Sequence, residues 1–361
     1  MKYYLDEPYS DISFFNAGYK ARLDIACIAE EMGFCSLKLD VPCVRAIKVG
    51  ASRKRKLLFS PVLYWVWFKT LKQLHRGDIL LVQIPFIYGN RMIIYHLLTA
   101  KKRGVKIIAF LHDIAFLRSV DGIEKINWKS FKCRCEVRLL ECCDMIIVHN
   151  HKMKKFMTDH VGIDAARLIV HSIFDYLSHE CQFEERVCDR NGRVVFAGNL
   201  SERKSGFLRD LPSQPDFDLY GPNFHEKNNG RNVHYHGVFR SEELPKVVLG
   251  NYGLVWDGNS CSTCSGPFGH YLVYNNPHKT SLYLSLGLPV IIWKEAALTD
   301  FVLEHGCGIT VNSLDELSKT LESINMVSYA EMKNAAKTVG LKLRSGFYTR
   351  RVLSEILSSL D

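Results

Sequence analysis

The chain has 361 residues, of which 47% are hydrophobic and 24% charged, with a formal net charge of +9. That length and apolar content suit two domains with separate cores. The charge is local: between Val41 and Gly77 there is no Asp or Glu, and Arg45, Lys48, Arg53, Lys54, Arg55, Lys56, Lys69, Lys72 and Arg76 equal the whole excess. A generic nucleic-acid binder, with cations over a wider footprint, is therefore not expected.

The N-terminus, Met1-Lys2-Tyr3-Tyr4-Leu5-Asp6, meets acids early and has no long apolar run, so it does not read as a signal peptide. The longest apolar stretch, 57–68, is about half of a membrane-spanning helix. A cytoplasmic protein is expected. The twelve cysteines then read as reduced, mostly core thiols. Cys261 and Cys264 form the only CxxC, and no second pair completes a zinc site, so no metal is expected.

In chain order the periodicity predicts a helix over 21–32, a strand over 36–39, a basic helix over 62–74 and a strand over 78–84. A helix over 91–102, a strand over 105–111, a helix over 129–142, a strand over 144–148, a helix over 152–159 and a strand over 167–171 follow. The polar stretch 180–192 marks a boundary. Beyond it come strands over 193–197, 216–220 and 232–235, a helix over 242–249 and a strand over 252–256. A helix opened by Pro277, a strand over 290–293, a helix over 296–304, a strand over 308–311 and a helix over 314–324 complete the pattern. The tail, 329–360, is helical with a break near 340–345. Alternation of this kind implies an α/β fold: two doubly wound Rossmann-like domains facing a central cleft.

Ligands on such sheets bind at the carboxyl ends of strands. Four predicted strands of the second half run into glycine, at Gly198, Gly221, Gly237 and Gly258, and glycine permits close approach of a ligand to backbone. Arg203 and Lys204 follow where a phosphate would lie, and Lys279 sits in the first turn of the Pro277 helix, where free N–H groups attract anions. In the first half, the 105–111 strand runs into His112-Asp113, a candidate general base. The cations of 45–76 are interleaved with Tyr64, Trp65, Trp67 and Phe68, a composition that suits an anionic membrane surface.

Six segments occur in order: Asn16-Ala17-Gly18-Tyr19-Lys20-Ala21-Arg22, His112-Asp113-Ile114, Ala197-Gly198-Asn199-Leu200-Ser201, Trp256-Asp257-Gly258, Thr263-Cys264-Ser265-Gly266 and the run from Tyr274 to Ser285. In these the chain resembles the bacterial β-galactofuranosyltransferases of O-antigen assembly. It is similar too to the glucosyltransferases that extend sugars on serine-rich-repeat adhesins. The resemblance implies a GT-B fold, a UDP-sugar donor, inversion at the anomeric carbon, and neither metal nor other cofactor. It places an acceptor-binding domain over 1–180, a nucleotide-sugar domain over 193–340, and a last helix over 341–361 packing back toward the first domain. It assigns the donor to Lys279, Thr280, Lys204, Arg203, Asn199, Tyr220, Val238, Phe239, Asp257, Tyr274, Asn276, His278, Asn16, Ala17 and Gly18. It assigns the acceptor to Lys20 and Arg22, and catalysis to Asp113 with His112.

Two positions depart from the galactofuranosyltransferase pattern: Ala115 stands where an Asp is usual, and Asn16 where an acid is common. Both lie on the acceptor side. The expected partners are a UDP-sugar, a lipid-linked glycan and an anionic membrane; a homo-oligomer is left open. The alternatives are a UDP-glucose-dependent enzyme acting on a glycosylated adhesin, and a non-catalytic partner that binds nucleotide or membrane only.

Overall fold

Short runs rich in Val, Ile, Leu and aromatics become strands, and the amphipathic stretches between them become helices. The computed structural model describes residues 1–8, 17–42, 59–88, 92–178, 192–225 and 230–360. Strands β1 (Lys2–Asp6), β2 (Cys35–Lys38), β3 (Ile79–Ile84), β4 (Lys106–Leu111), β5 (Met145–Val148) and β6 (Leu168–Val170) form one sheet, ordered β2-β1-β3-β4-β5-β6. Strands β7 (Val194–Ala197), β8 (Phe217–Tyr220), β9 (Val233–Tyr235), β10 (Tyr252–Val255), β11 (Val290–Trp293) and β12 (Gly308–Val311) form the second, ordered β12-β11-β10-β7-β8-β9. Every pairing is parallel.

A parallel sheet must be covered on both faces. On β3 and β4, Leu80, Val82, Ile107 and Ala109 pack with Trp67 and Leu97 of the Ser60–Lys72 and Ile93–Lys102 helices. The alternate residues Leu81, Ile108 and Phe110 face the other way. They meet Ile25 and Ala29 of the Ala17–Glu31 helix, and Val352, Leu353 and Ile356 of the final Phe347–Leu360 helix. The chain therefore ends on the first sheet after building the second.

The structure adds to and trims the sequence reading. Strand β1 and the Gly266–Tyr271 helix were not expected from the pattern. Only Leu244–Val247 of the 242–249 stretch is helical, with Pro245 in its first turn, and the helix expected over 296–304 starts at Thr299. Pro277 is the N-cap rather than a first-turn residue, so the next helix is His278–Ser285. The tail breaks only between Met326–Arg344 and Phe347–Leu360, leaving Gly340 inside a helix. A Cβ at Gly340 would lie 2.3 Å from the Leu284 carbonyl oxygen. The glycine thus lets the long helix lie directly against His278–Ser285. Asn16, Arg45, Lys48, Arg53 to Lys56 and the boundary residues 180–191 lie outside the described residues.

Candidate active site

Because the second sheet is parallel, the carboxyl ends of β7, β8, β9 and β10 share one edge. Their glycine ends lock together through backbone hydrogen bonds. The Gly198 N–H donates to the Tyr220 carbonyl at 2.9 Å, and the Gly221 N–H to Gly237 at 2.8 Å. Gly221 has φ +138°, and a Cβ there would meet the Gly198 oxygen at 1.8 Å. Beneath this edge Tyr220 is buried, stacked on His236 at 4.6 Å, with its hydroxyl accepting from the Leu249 N–H at 3.3 Å. Tyr220 is thus the floor of the expected nucleotide region rather than a free contact. Phe239 packs half-buried beside it, and Val238 is 43% exposed. Asn199 is exposed, its side-chain oxygen accepting from the Ser201 N–H and the Asn223 amide, both at 2.9 Å.

Lys279 lies in the first turn of a helix whose residues Lys279 to Ser285 are all buried. Its ammonium donates to the Trp256 carbonyl and to Asp257 Oδ1, both at 2.8 Å, and sits 4.3 Å from the centre of the Phe196 ring. Burial lowers its pKa, and Asp257 opposes that shift. This is a buried ion pair, a partnership between two residues that the sequence offered separately to the donor. Thr280 is fully buried, and its hydroxyl has no hydrogen-bond partner.

Above this pair, three cations surround one ring. The Arg203 guanidinium is 5.6 Å and the Lys204 ammonium 5.9 Å from the centre of Phe268; Arg118, from the first domain, is 5.3 Å away. Phe268 belongs to the Gly266–Tyr271 helix, which also sends Tyr271 into the first domain, where its hydroxyl accepts from the Ile114 N–H at 2.9 Å. The carboxyl ends of β4 and β10 are thereby joined across the cleft. Neither Phe268 nor Arg118 was singled out in the sequence. Arg118 lies in a stretch with no motif or strong periodicity, and Phe268 follows the Thr263–Gly266 segment among glycines and a proline that read as loop.

Asp113 faces this cluster. Its Oδ2 accepts from Arg118 Nη1 at 2.5 Å. Burial pushes its carboxyl above the usual range, while Arg118, Lys204 and Arg22 pull it back. His112 points elsewhere: its Nε2–H donates to Gln83 Oε1 at 2.7 Å, and its ring stacks between Phe110 and Phe174. Burial, with Arg22 and neighbouring imidazoles, holds its pKa well below the ordinary histidine value. His112 and Asp113 are therefore not a dyad, because consecutive residues after a strand project to opposite sides. At Ala115, where the family pattern has Asp, the backbone N–H instead donates to Glu136 Oε1 at 2.7 Å, and the Phe116 N–H donates to Oε2 at 3.1 Å.

Other expected contacts are committed to structure. Asn276 donates to the His149 and Ser172 carbonyls, both at 2.8 Å, and accepts from Asn150 at 2.7 Å, so its amide ties the domains together. Tyr274 packs on Phe156 at 5.3 Å, and its carbonyl accepts from Asn150. His278 lies against Tyr176 and Phe174, with both ring nitrogens unpartnered and its pKa driven to about 3 by burial. The acceptor candidates are likewise held. Lys20 pairs with Asp24 and donates to the Leu177 carbonyl at 2.8 Å; Arg22 is buried and donates to the Gln83 and Pro85 carbonyls. Ala17 and Gly18 open the Ala17–Glu31 helix, whose Tyr19 feels the charge of Glu242 in the second domain. Among the described residues no group of three or more His, Cys, Asp or Glu is placed to hold a metal ion.

Comparison with known proteins agrees with this layout. The model of the glucosyltransferase 3-like N-terminal domain matches residues 2–173, and that of the glucosyltransferase 3-like C-terminal domain matches residues 194–356. The chain is 33% identical over 360 residues to the beta-1,6-galactofuranosyltransferase WbbI of Escherichia coli (strain K12), covering 97% of this chain and 98% of that protein. It is 25% identical over 283 residues to glucosyltransferase 3 of Streptococcus gordonii, covering 77% and 78%. Its fold is that of sucrose-phosphate synthase from Thermosynechococcus elongatus, with a TM-score of 0.63 at 11% identity, covering 100% of this chain and 99% of that one.

Proposed function

The chain belongs to the glucosyltransferase 3-like family and is a glycosyltransferase of GT-B fold; from that premise we propose that it moves a hexose, in first place galactofuranose, from a UDP-sugar to a lipid-linked glycan of a surface polysaccharide such as an O-antigen. The observation that carries this reading is the ring of Arg118, Arg203 and Lys204 about Phe268, with Lys279 beneath, at the carboxyl edge of the second sheet. Arg118 is paired with Asp113 and Lys279 with Asp257; a nucleoside diphosphate supplies the negative charge that Arg203 and Lys204 lack among the described residues.

In the proposed reaction Asp113 takes the proton of the acceptor hydroxyl. The acceptor oxygen attacks the anomeric carbon from the side opposite UDP, so the configuration inverts. The bond from that carbon to the diphosphate oxygen breaks, and its electron pair leaves on UDP. Arg118, Arg203, Lys204 and Lys279 stabilise that charge as it develops. With four cations in place the reaction is proposed to need no metal ion and no other cofactor.

The surface of the first domain supports a membrane-bound acceptor. Trp65 is 59% exposed and meets the exposed Phe68 edge-on at 5.6 Å, and Lys72 lies 5.9 Å from the Phe68 ring. Tyr95 and Leu98 of the neighbouring Ile93–Lys102 helix, and Met92 at its N-cap, are exposed. Aromatic and basic side chains together suit the headgroup region of an anionic bilayer. No described helix is long and apolar enough to cross a membrane, so the enzyme is proposed to work peripherally on the cytoplasmic face. The second reading, glucosyl transfer from UDP-glucose to a glycosylated adhesin, is favoured by the match to glucosyltransferase 3.

The test is incubation of the pure protein with a panel of UDP-sugars and acceptors, read by mass spectrometry. A hexose added to a lipid-linked glycan from UDP-galactofuranose supports the first reading, and one added to a glycopeptide from UDP-glucose supports the second. UDP binding without transfer to any acceptor would leave the non-catalytic partner.

A further inference from the structure

The Arg118–Asp113 pair occupies two roles at once. Arg118 stands in the Leu117–Ser119 turn of the first domain and bonds Asp113 Oδ2 at 2.5 Å. The same guanidinium lies over Phe268, where Arg203 and Lys204 reach in from the second domain. Arg203 and Lys204 form no ion pair among the described residues, whereas Asp257 is already paired with Lys279 and Glu202 with Arg209. Among the described residues Asp113 is the carboxylate paired with one of the Phe268 cations, and it also feels the charge of Lys204. Arg118 and Asp113 are only partly buried, at 39% and 29% side-chain exposure, so both are open in part to solvent.

We propose that Arg118 is shared between Asp113 and the donor diphosphate, so that donor binding draws Arg118 away and frees Asp113 to accept the acceptor's proton. This rests on the donor reading given above. The chemistry is competition for one planar fork. Arg118 holds Asp113 through Nη1 alone; turning its planar fork to meet a phosphate bidentately would break that single contact, and the phosphate brings more charge. Without donor, burial raises the proton affinity of Asp113 while Arg118, with Lys204 and Arg22, opposes that rise. With donor, that restraint is lost and the nearby phosphate charge raises the proton affinity further. The base is then armed only when a sugar is present to be attacked.

Competition is reciprocal, so it is visible in binding alone. If Asp113 holds Arg118 back from the diphosphate, removing the carboxylate charge must tighten UDP. Calorimetry with UDP on wild type, Asp113→Asn, Arg118→Ala and the double variant forms a closed cycle. Asp113→Asn should bind UDP about fivefold tighter than wild type, the lower end of ordinary coupling between two sites. Arg118→Ala should bind about tenfold weaker, since it loses a charge-assisted bond. In the Arg118→Ala background Asp113→Asn should bring no gain, and Arg118→Lys should recover part of the loss. A simple structural role for the pair would weaken UDP in both single variants, and thermal unfolding of each variant checks that it is folded.

Equal UDP affinity in wild type and Asp113→Asn would overturn the sharing while leaving the donor site intact. So would a gain that persists without Arg118, which would mean direct repulsion between Asp113 and phosphate. Failure of wild type to bind UDP at all would overturn the donor reading, and this inference with it.

Discussion

Lys279→Ala probes the buried pair beneath the cation cluster. The ammonium donates to Asp257 Oδ1 and to the Trp256 carbonyl, both at 2.8 Å, in a site where Lys279 and Asp257 are nearly closed to water. Truncation leaves Asp257 as a buried carboxylate without its counter-ion, which costs about 3–5 kcal/mol. At about 2–4 °C per kcal/mol for a domain of this size, the transition should fall by roughly 6–20 °C. Asp257→Asn combined with Lys279→Ala should restore much of that loss, because no uncompensated charge is left. The assay is thermal unfolding of both single variants and the double variant, followed by UDP calorimetry on the folded double variant. UDP should bind the double variant about tenfold weaker than wild type if Lys279 also reaches the diphosphate, a charge-assisted bond being worth about 1.5–3 kcal/mol. An unchanged transition in Lys279→Ala would refute the burial argument. Wild-type UDP affinity in the double variant would confine Lys279 to a structural role.

Turnover of Asp113→Asn should fall by about a hundredfold or more, the usual scale for loss of a general base; near-normal turnover would move the base to another carboxylate. Activity should survive EDTA, and strict dependence on added Mn²⁺ or Mg²⁺ would overturn the cation-only account of diphosphate stabilisation. Liposomes with anionic lipid should pellet the wild type at low salt and lose it when Trp65 and Phe68 become Ser and Lys69 and Lys72 become Gln; equal pelleting of both proteins would make this an ordinary solvated face. Asp175 is buried, accepts from the Tyr348 and Thr349 N–H groups, and has its pKa raised to about 7, chiefly by burial. Between its ordinary value near 4 and about 7 the folded state therefore holds a proton that the unfolded state has lost, so this residue's contribution to stability declines as pH rises through that window. Asp175→Asn should gain stability relative to wild type as pH goes from 4 to 7, and a urea titration showing a constant difference would contradict the burial of a protonated carboxyl.

The two-sheet architecture was legible because parallel strands buried on both faces leave continuous apolar runs, such as Ile79 to Ile84 and Val290 to Trp293. Strand β1 escaped because only Tyr4 and Leu5 within it are buried, between Lys2 and Asp6. The Gly266–Tyr271 helix escaped because Gly266, Pro267 and Gly269 together read as loop. With it went Phe268, the centre of the cation cluster. The cations Lys279, Lys204 and Arg203 were legible from their places after strand ends and at a helix start. The Lys279–Asp257 pairing was not, nor was the meeting of Arg118 with Arg203 and Lys204 around Phe268, since these arise only through the fold. Asn276 shows the limit most clearly. It sits in the run most telling of the family, yet its amide is spent on His149, Ser172 and Asn150, joining the domains. A short polar side chain reads alike in sequence whether it holds a ligand or another loop.

The central claim is that the cations around Phe268 hold a diphosphate, and calorimetry of the wild type with UDP and with UMP tests it most directly. UDP should bind at least about tenfold tighter than UMP, because the second phosphate adds charge-assisted bonds to Arg118, Arg203 and Lys204, and the difference should disappear in an Arg203→Ala, Lys204→Ala variant. Equal affinity for UDP and UMP, or a preference for UDP that survives loss of both cations, would contradict it.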